Sequence, residues 1–426
     1  MAGAEAQGRF GRLAVCAGNA LEFYEFLIYS TFAVYIGTTF FPPDLPGGTL
    51  LPSLATFGAG FLTRPIGGWA IGRLSDRVGR KAGMLLSLGL MGVAMAGLAL
   101  TPGYARIGIA APFLLLLFRL MQGFALGGEV GPATAFLVES AEERQHGQAA
   151  SLQGMTQGVG ILAAALVGFL LALVLPADAL QAWGWRLSLL PALLVIPVAW
   201  RIRRSLPETL HQTLPRAAVD HPGDARLILC ALLVIGASTV GTYTGTYATT
   251  YALTTLHMSP RIAFAAGLMI GLSIIVMAPI SGRMSDRFGR RPILLFSLSC
   301  ATATTIPGFW MIVHHPSPAM LLGMLGLITF ASAGITSPLF AALTEAFPPH
   351  RRSTTFCCTY AVAIAVFGGT TQYAIAWLIQ HTGDPMMPAY YRTGAALVGI
   401  VAALMMAETS PGATRRERRI GAVLPI

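Results

Sequence analysis

The string GRLSDRVGRK at Gly72 to Lys81 returns, nearly letter for letter, as GRMSDRFGRRP at Gly282 to Pro292. Each copy is a short basic turn between two long apolar runs, so a turn has been duplicated together with the pair of segments it joins. That repeat constrains the chain to two like halves, each built from the same helical unit.

The apolar runs set the solvent. Of 426 residues, 54% are hydrophobic and only 11% are charged, against about 25% charged in soluble domains. A helix needs about 20 apolar residues to cross a bilayer. Segments broken by Gly, Pro and charge fall at 13–38, 50–72, 82–101, 109–137, 150–175, 187–204, 226–256, 261–281, 293–313, 318–346, 353–380 and 388–408. The expected fold is an all-α membrane protein of twelve transmembrane helices in two six-helix pseudo-symmetric halves, 1–204 and 226–426, joined by a linker at 205–225. The first run carries Glu22 and Glu25 and is too long for a signal h-region, so the N-terminus is expected to stay attached.

Cationic loops stay on the cytoplasmic side of a membrane. With the N-terminus inside, that face collects both repeated turns, the linker, Arg351, Arg352 and the tail RRERR, whereas Arg106, Arg186, Arg261 and Arg392 fall on the other. Both termini are therefore expected in the cytoplasm, with the tail near anionic lipid headgroups. The net charge of +10 follows from this asymmetry, with no nucleic-acid partner required. Cys16, Cys230, Cys300, Cys357 and Cys358 have neither zinc-site nor disulfide-framework spacing and read as packing residues.

The twin turns, Asp76 to Lys81 and Asp286 to Arg291, resemble the loop signature of the major facilitator superfamily. GNALEFYEFL at Gly18 to Leu27 and RLMQGFALGGE at Arg119 to Glu129 are similar to its metabolite:proton symporter branch. WGWR at Trp183, AALTE at Ala341, VFGG at Val366 and HTGD at His381 resemble citrate and tricarballylate proton symporters most. The resemblance covers nearly the whole chain. It implies alternating-access symport of a small organic anion with a proton across a bacterial inner membrane, by a monomer with no cofactor. It leaves open 2-oxoglutarate, shikimate or a zwitterionic osmolyte such as proline or betaine as the cargo.

An ionisable side chain at the bilayer centre costs about 2.5–3.5 kcal/mol, so it needs a partner or a purpose. Counting inward at 1.5 Å per residue, Glu22 and Glu25 on the first segment and Arg119 on the fourth reach similar depth. Asn19, Glu22, Phe26 and Tyr29 share one helical face, as do Arg119, Gln122, Leu126 and Glu129. The two polar stripes are expected to face a common cavity. There a substrate carboxylate would take the Arg119 fork from a resident glutamate, and proton uptake would accompany loading. The competing reading is a structural ion pair between the two helices. Glu22 and Glu25 are both candidates for the coupling acid; the family usually has Asp at the second position. Glu129 reads as an inward proton relay or gate residue, or as a plain interhelical hydrogen bond.

Further substrate-binding candidates are Asn19, Tyr24, Gln122, Gln153, Gln157, Tyr243, Tyr247 and Thr336. Phenol hydroxyls donate to an anion without burying a charge. An interfacial aromatic belt is the alternative, and it suits Tyr251 better than Tyr243. Packing hydrogen bonds are the alternative for the two glutamines. Thr336 stands where citrate-type relatives have an amide, which keeps a different cargo in play. In the turns, Asp76 and Asp286 are expected to accept from the free amides of the next helix. Arg77, Arg80, Arg287 and Arg290 are expected to pair with Glu139 and Glu345, either as a gate or as topology signals alone. Gly123 and Gly127 read as close helix packing.

Other classes fit less well. The fifth segment lacks the Gly-Pro kink of drug antiporters, and a passive facilitator has no need of paired carboxylates. No nucleophile–base pair, metal cluster or phosphate loop marks an enzyme. A transporter-like nutrient sensor would carry a longer signalling tail.

Overall fold

The structure, a computed structural model, describes residues 2–78, 80–127, 134, 137–138, 141–194, 200, 225–347 and 352–410. All regular elements among the described residues are helical. The first half contains α1 (Ala2–Thr31), α2 (Ala33–Phe40), α3 (Leu50–Leu62), α4 (Arg64–Val78), α5 (Arg80–Leu100), α6 (Tyr104–Ile107), α7 (Ala110–Leu126) and α8 (His146–Val174). The second contains α9 (Ala225–Thr246), α10 (Ala248–Thr254), α11 (Pro260–Phe288), α12 (Arg290–His314), α13 (Pro318–Ala333), α14 (Thr336–Ala346), α15 (Arg352–Ala363), α16 (Gly369–Thr382) and α17 (Met387–Met405). The expected linker at 205–225 lies almost wholly outside the described residues.

Among the described residues, six spans are long and apolar enough to cross a membrane unaided: α8, α9, α11, α12, α13 with α14, and Thr355–Thr382. Leu85–Leu100 and Ala110–Leu126 are apolar but shorter. Arg186 donates to the Ala99 and Thr101 carbonyls at the end of α5, and Arg261 to the Ala172 carbonyl at the end of α8. Both place a cation where a helix leaves its last carbonyls bare.

Several apolar segments are interrupted where the two halves meet. The first segment breaks at Phe32, the seventh at Tyr247 and the tenth at Gly334 and Ile335, and a π turn at Ile364–Gly368 interrupts the eleventh. The second breaks at Thr63, two residues before Pro65, which has no backbone donor to continue the ladder. Thr63 Oγ1 donates instead to the Leu120 carbonyl on α7, at 2.7 Å. Irregular backbone inside a bilayer survives only where protein or a polar cavity covers it, so these breaks mark the working interior.

At two of the helix pairs between the halves, glycines let the backbones meet. Where α8 meets α11, a Cβ on Gly147 would lie 2.6 Å from the Gly282 carbonyl, and where α3 meets α16, a Cβ on Gly58 would lie 2.1 Å from the Gly369 carbonyl. Only glycine permits either approach. Gly123 and Gly127 do the same within the first half, where added Cβ atoms would strike the Gly60 and Arg64 carbonyls.

Candidate functional site

Arg119 lies on the buried face of α7 and is fully enclosed. Its Nη1 donates to Gln122 Oε1 at 2.6 Å, one turn along the same helix, and its Nη2 reaches the Phe57 carbonyl at 3.4 Å. The amide of Gln122 is held in turn by Met95 Sδ at 2.9 Å. The guanidinium carbon lies 4.6 Å from the Phe26 ring centroid, 4.4 Å from Tyr29 and 5.1 Å from Phe57. Nε is buried without a hydrogen-bond partner. The cation is therefore fixed in a neutral, aromatic cage.

Glu22 and Glu25 are buried on α1, with contacts of their own. The expected direct pair between either acid and Arg119 is absent among the described residues: the guanidinium contacts are the amide, the carbonyl and the three rings. Phe26 and Tyr29, on the α1 stripe that also carries Glu22, take the place next to it. Glu22 still bears on the same region, since Tyr243 feels the charges of Arg64, Arg119 and Glu22.

Three cavities lie along the seam. The first includes Arg64, Gly127, Cys357 and Tyr360 in its lining. It meets the second at Tyr360 and Ile364. The third shares Gln157, Ser238, Thr242 and Thr336 with the second. Gln157, Tyr243 and Thr336, among the substrate-binding candidates, line the second cavity together with Tyr360.

Other expected contacts are committed elsewhere. Asn19 donates to Thr156 Oγ1 at 2.5 Å and accepts from Gln153 Nε2 at 2.8 Å, so both side chains bind α1 to α8. Tyr24 donates to the Ser188 carbonyl at 2.6 Å, away from the cavities. Tyr247 is buried and lines none of the three cavities. Tyr251 forms no interfacial belt; it is buried, with its hydroxyl on the Pro385 carbonyl at 2.8 Å. Arg392, expected on the outer face, is buried in α17 and donates to Ser332 Oγ at 2.6 Å.

Residues 27–357 match the Major Facilitator Superfamily. The chain belongs to the major facilitator superfamily. It is 34% identical to the citrate-proton symporter of Klebsiella pneumoniae over 95% of this chain and 93% of that one. It is 36% identical to the citrate-proton symporter of Salmonella typhi, over 94% of each. In fold it resembles the xylose transporter XylE of E. coli in a partially occluded inward-open conformation, with a TM-score of 0.75 at 17% identity, covering 93% of this chain and 97% of that one. The chain is thus an all-helical, multi-pass membrane protein with the twelve-helix facilitator architecture.

In this facilitator both ends of the seam are bridged. At the second basic turn, Asp286 accepts from the Gly147 and Gln148 amides at 2.8 and 2.9 Å, and Arg290 Nη1 reaches it at 2.6 Å. The carboxylate therefore caps α8 of the other half instead of the next helix in sequence. Arg290 also grips Glu345 at 2.8 and 3.2 Å, and Glu345 contacts His146 of the first half at 3.1 Å. The start of α12 is capped by Glu408, which takes the Arg290 and Arg291 amides at 2.9 Å each. Arg287 and Arg77 are exposed. Glu129, Glu139 and the side chains of Asp76 and Arg80 lie outside the described residues.

At the opposite end, Gln372 Nε2 donates to Ser30 Oγ at 2.6 Å in the first half and to Thr246 Oγ1 at 3.0 Å in the second. Arg64, His146, Gln372 and Glu408 are the residues that sequence reasoning missed. Arg64 had a signal, a cation inside the 50–72 apolar run, whereas Gln372 and His146 are visible only once the halves are packed together.

Proposed function

We propose that the chain is a proton-coupled symporter that carries a small organic acid anion, a citrate- or tricarballylate-like tri- or dicarboxylate, into the cell by alternating access. The observation that carries this reading is the caged Arg119, a fully buried cation held by neutral groups. Cation–π contacts contribute about 0.5–2 kcal/mol each, enough to tolerate the charge between cycles. A carboxylate at 4 Å adds about 4 kcal/mol more at an effective dielectric of 20, so an anion is the preferred occupant.

Coupling follows from charge balance. A polycarboxylate brings more negative charge than one guanidinium offsets, and closing the halves around that excess is costly. A proton on Glu22 or Glu25 removes part of it. Loading and protonation are then linked, and each favours the other. Gln157 of the first half and Tyr243 and Thr336 of the second complete the pocket. Asp286, Arg290, Glu345 and His146 hold one mouth shut, and Gln372 with Ser30 holds the other. The close similarity to citrate-proton symporters supports the cargo, and the basic turns support a cytoplasmic placement of both termini in a bacterial inner membrane. The unit of transport is the monomer, surrounded by lipid.

Uptake of labelled citrate, tricarballylate, 2-oxoglutarate, shikimate and glycine betaine into proteoliposomes, with and without an inward proton gradient, tests the reading. Gradient-driven accumulation of a tri- or dicarboxylate is expected. Glu22→Gln or Glu25→Gln should abolish accumulation, but not exchange, at whichever acid carries the proton. Accumulation by both variants would place the proton elsewhere. Transport of betaine alone would remove the anion.

A further inference from the structure

Arg119, for all its burial, lines none of the three cavities. Arg64 does. Among the described residues it is the charged side chain on their walls, in the cavity that continues through Tyr360 and Ile364 into the other two. It begins α4 directly after the break at Thr63, and Gly127 lies so close to its carbonyl that a Cβ there would come within 2.0 Å. The backbone is thus locked by α7, and the side chain is aimed into the seam. Arg64 is 6% exposed, and its Nε is buried with no hydrogen-bond partner.

The ring of Phe26 joins the two cations. The Arg64 guanidinium carbon lies 4.4 Å from its centroid and the Arg119 carbon 4.6 Å. Arg64 also lies 4.8 Å from the Phe61 centroid. Two positive groups sharing one ring repel, and Glu22, which bears on the same region, supplies one negative charge against two. A ligand with two carboxylates separated by a short carbon chain would balance both, one on each fork.

We propose that Arg64 is a second carboxylate receptor, facing the cavity, that forms with Arg119 a two-cation clamp across Phe26 and selects polycarboxylates over monocarboxylates and zwitterions. This rests on the anion-symport reading above and gives its cargo a minimum of two carboxylates. Arg64 meets the anion first from the cavity. Displacement of the Phe26 ring then admits a second carboxylate to Arg119. Tyr360, at the junction of the first two cavities, is placed to donate its hydroxyl to the bound anion.

The test uses the full-length protein in proteoliposomes. Arg64→Gln should lower citrate and tricarballylate uptake by about tenfold or more, the loss of one charge-assisted contact. It should also shift the ratio of citrate to shikimate uptake against citrate. Arg64→Lys, which keeps the charge and loses the fork, should fall between. A second readout needs no variant. Cys357 is half-buried on the wall of the Arg64 cavity, so citrate should slow its alkylation by N-ethylmaleimide, localised by peptide mass spectrometry, by about threefold or more, and glycine betaine should not. Wild-type citrate rates in Arg64→Gln, or a fall equal for all substrates, would overturn the assignment. So would unprotected Cys357 in protein that transports citrate. If the wild-type protein carries no carboxylate, the anion-symport reading fails instead, and the clamp falls with it.

Discussion

Two buried arginines are held in opposite ways in this molecule. Arg290, 1% exposed, holds two carboxylates at 2.6 and 2.8 Å, and one of these also binds amides of the opposite half. Arg119, fully buried, is held by an amide, a carbonyl and three rings. A compensated cation is a fastener, because removing either partner strands the other in a low-dielectric site. A cation held only by neutral groups can accept a negative guest. On the proposed reading, Arg290 closes the seam and Arg119 receives what the seam encloses.

The largest effect tests that division at its binding end. Arg119→Lys should insert normally yet lose about 30-fold or more of its citrate uptake, the equivalent of about 2 kcal/mol, since a point charge does not replace a fork. Next comes stability, where the two arginines should move in opposite directions. Arg290→Leu strands Glu345 and Asp286 and should cost about 3–5 kcal/mol, read as a lower unfolding temperature in detergent. Arg119→Leu removes a charge that no acid neutralises, so its unfolding temperature should match or exceed the wild type although transport is gone. If both variants lose stability equally, Arg119 is a fastener too.

Smaller effects sharpen the comparison. Gln122→Ala frees the Arg119 fork from its one strong hydrogen bond, worth about 1.5–3 kcal/mol to a charged group; part of that loss should show as a KM raised about threefold to tenfold with inserted protein unchanged. Arg287→Ala, at an exposed position in the same turn as Arg290, should change stability by no more than about 0.5 kcal/mol. Equal sensitivity at Arg287 and Arg290 would show that the turn acts through its net charge and not through the Glu345 pair.

The architecture was legible because hydropathy and a duplicated turn are local signals that survive without any knowledge of packing. Arg119 and Glu345 were legible for a related reason: a charge in or at the end of an apolar run stands out. What the chain does not show in one dimension is which neighbour a side chain chooses. Asn19 and Gln153 look like cavity residues by periodicity, yet they satisfy each other across α1 and α8. Glu22 and Arg119 reach comparable depth by counting, but the groups packed on the guanidinium from α1 are the rings of Phe26 and Tyr29. Arg392, counted with the outer-side cations, is the sixth residue of α17, buried, and donates to Ser332 Oγ. Gln372 carries no charge and gives no signal until it bridges Ser30 and Thr246.

The most direct test is calorimetric titration of citrate into the purified protein in two buffers of different ionisation enthalpy, comparing wild type with Arg119→Lys. Wild-type protein should bind citrate and take a proton from the buffer as it does so, and the variant should show no binding at concentrations that saturate the wild type. Binding by Arg119→Lys within about threefold of the wild-type affinity, with the same proton uptake, would contradict the assignment of the caged guanidinium as the anion's receptor.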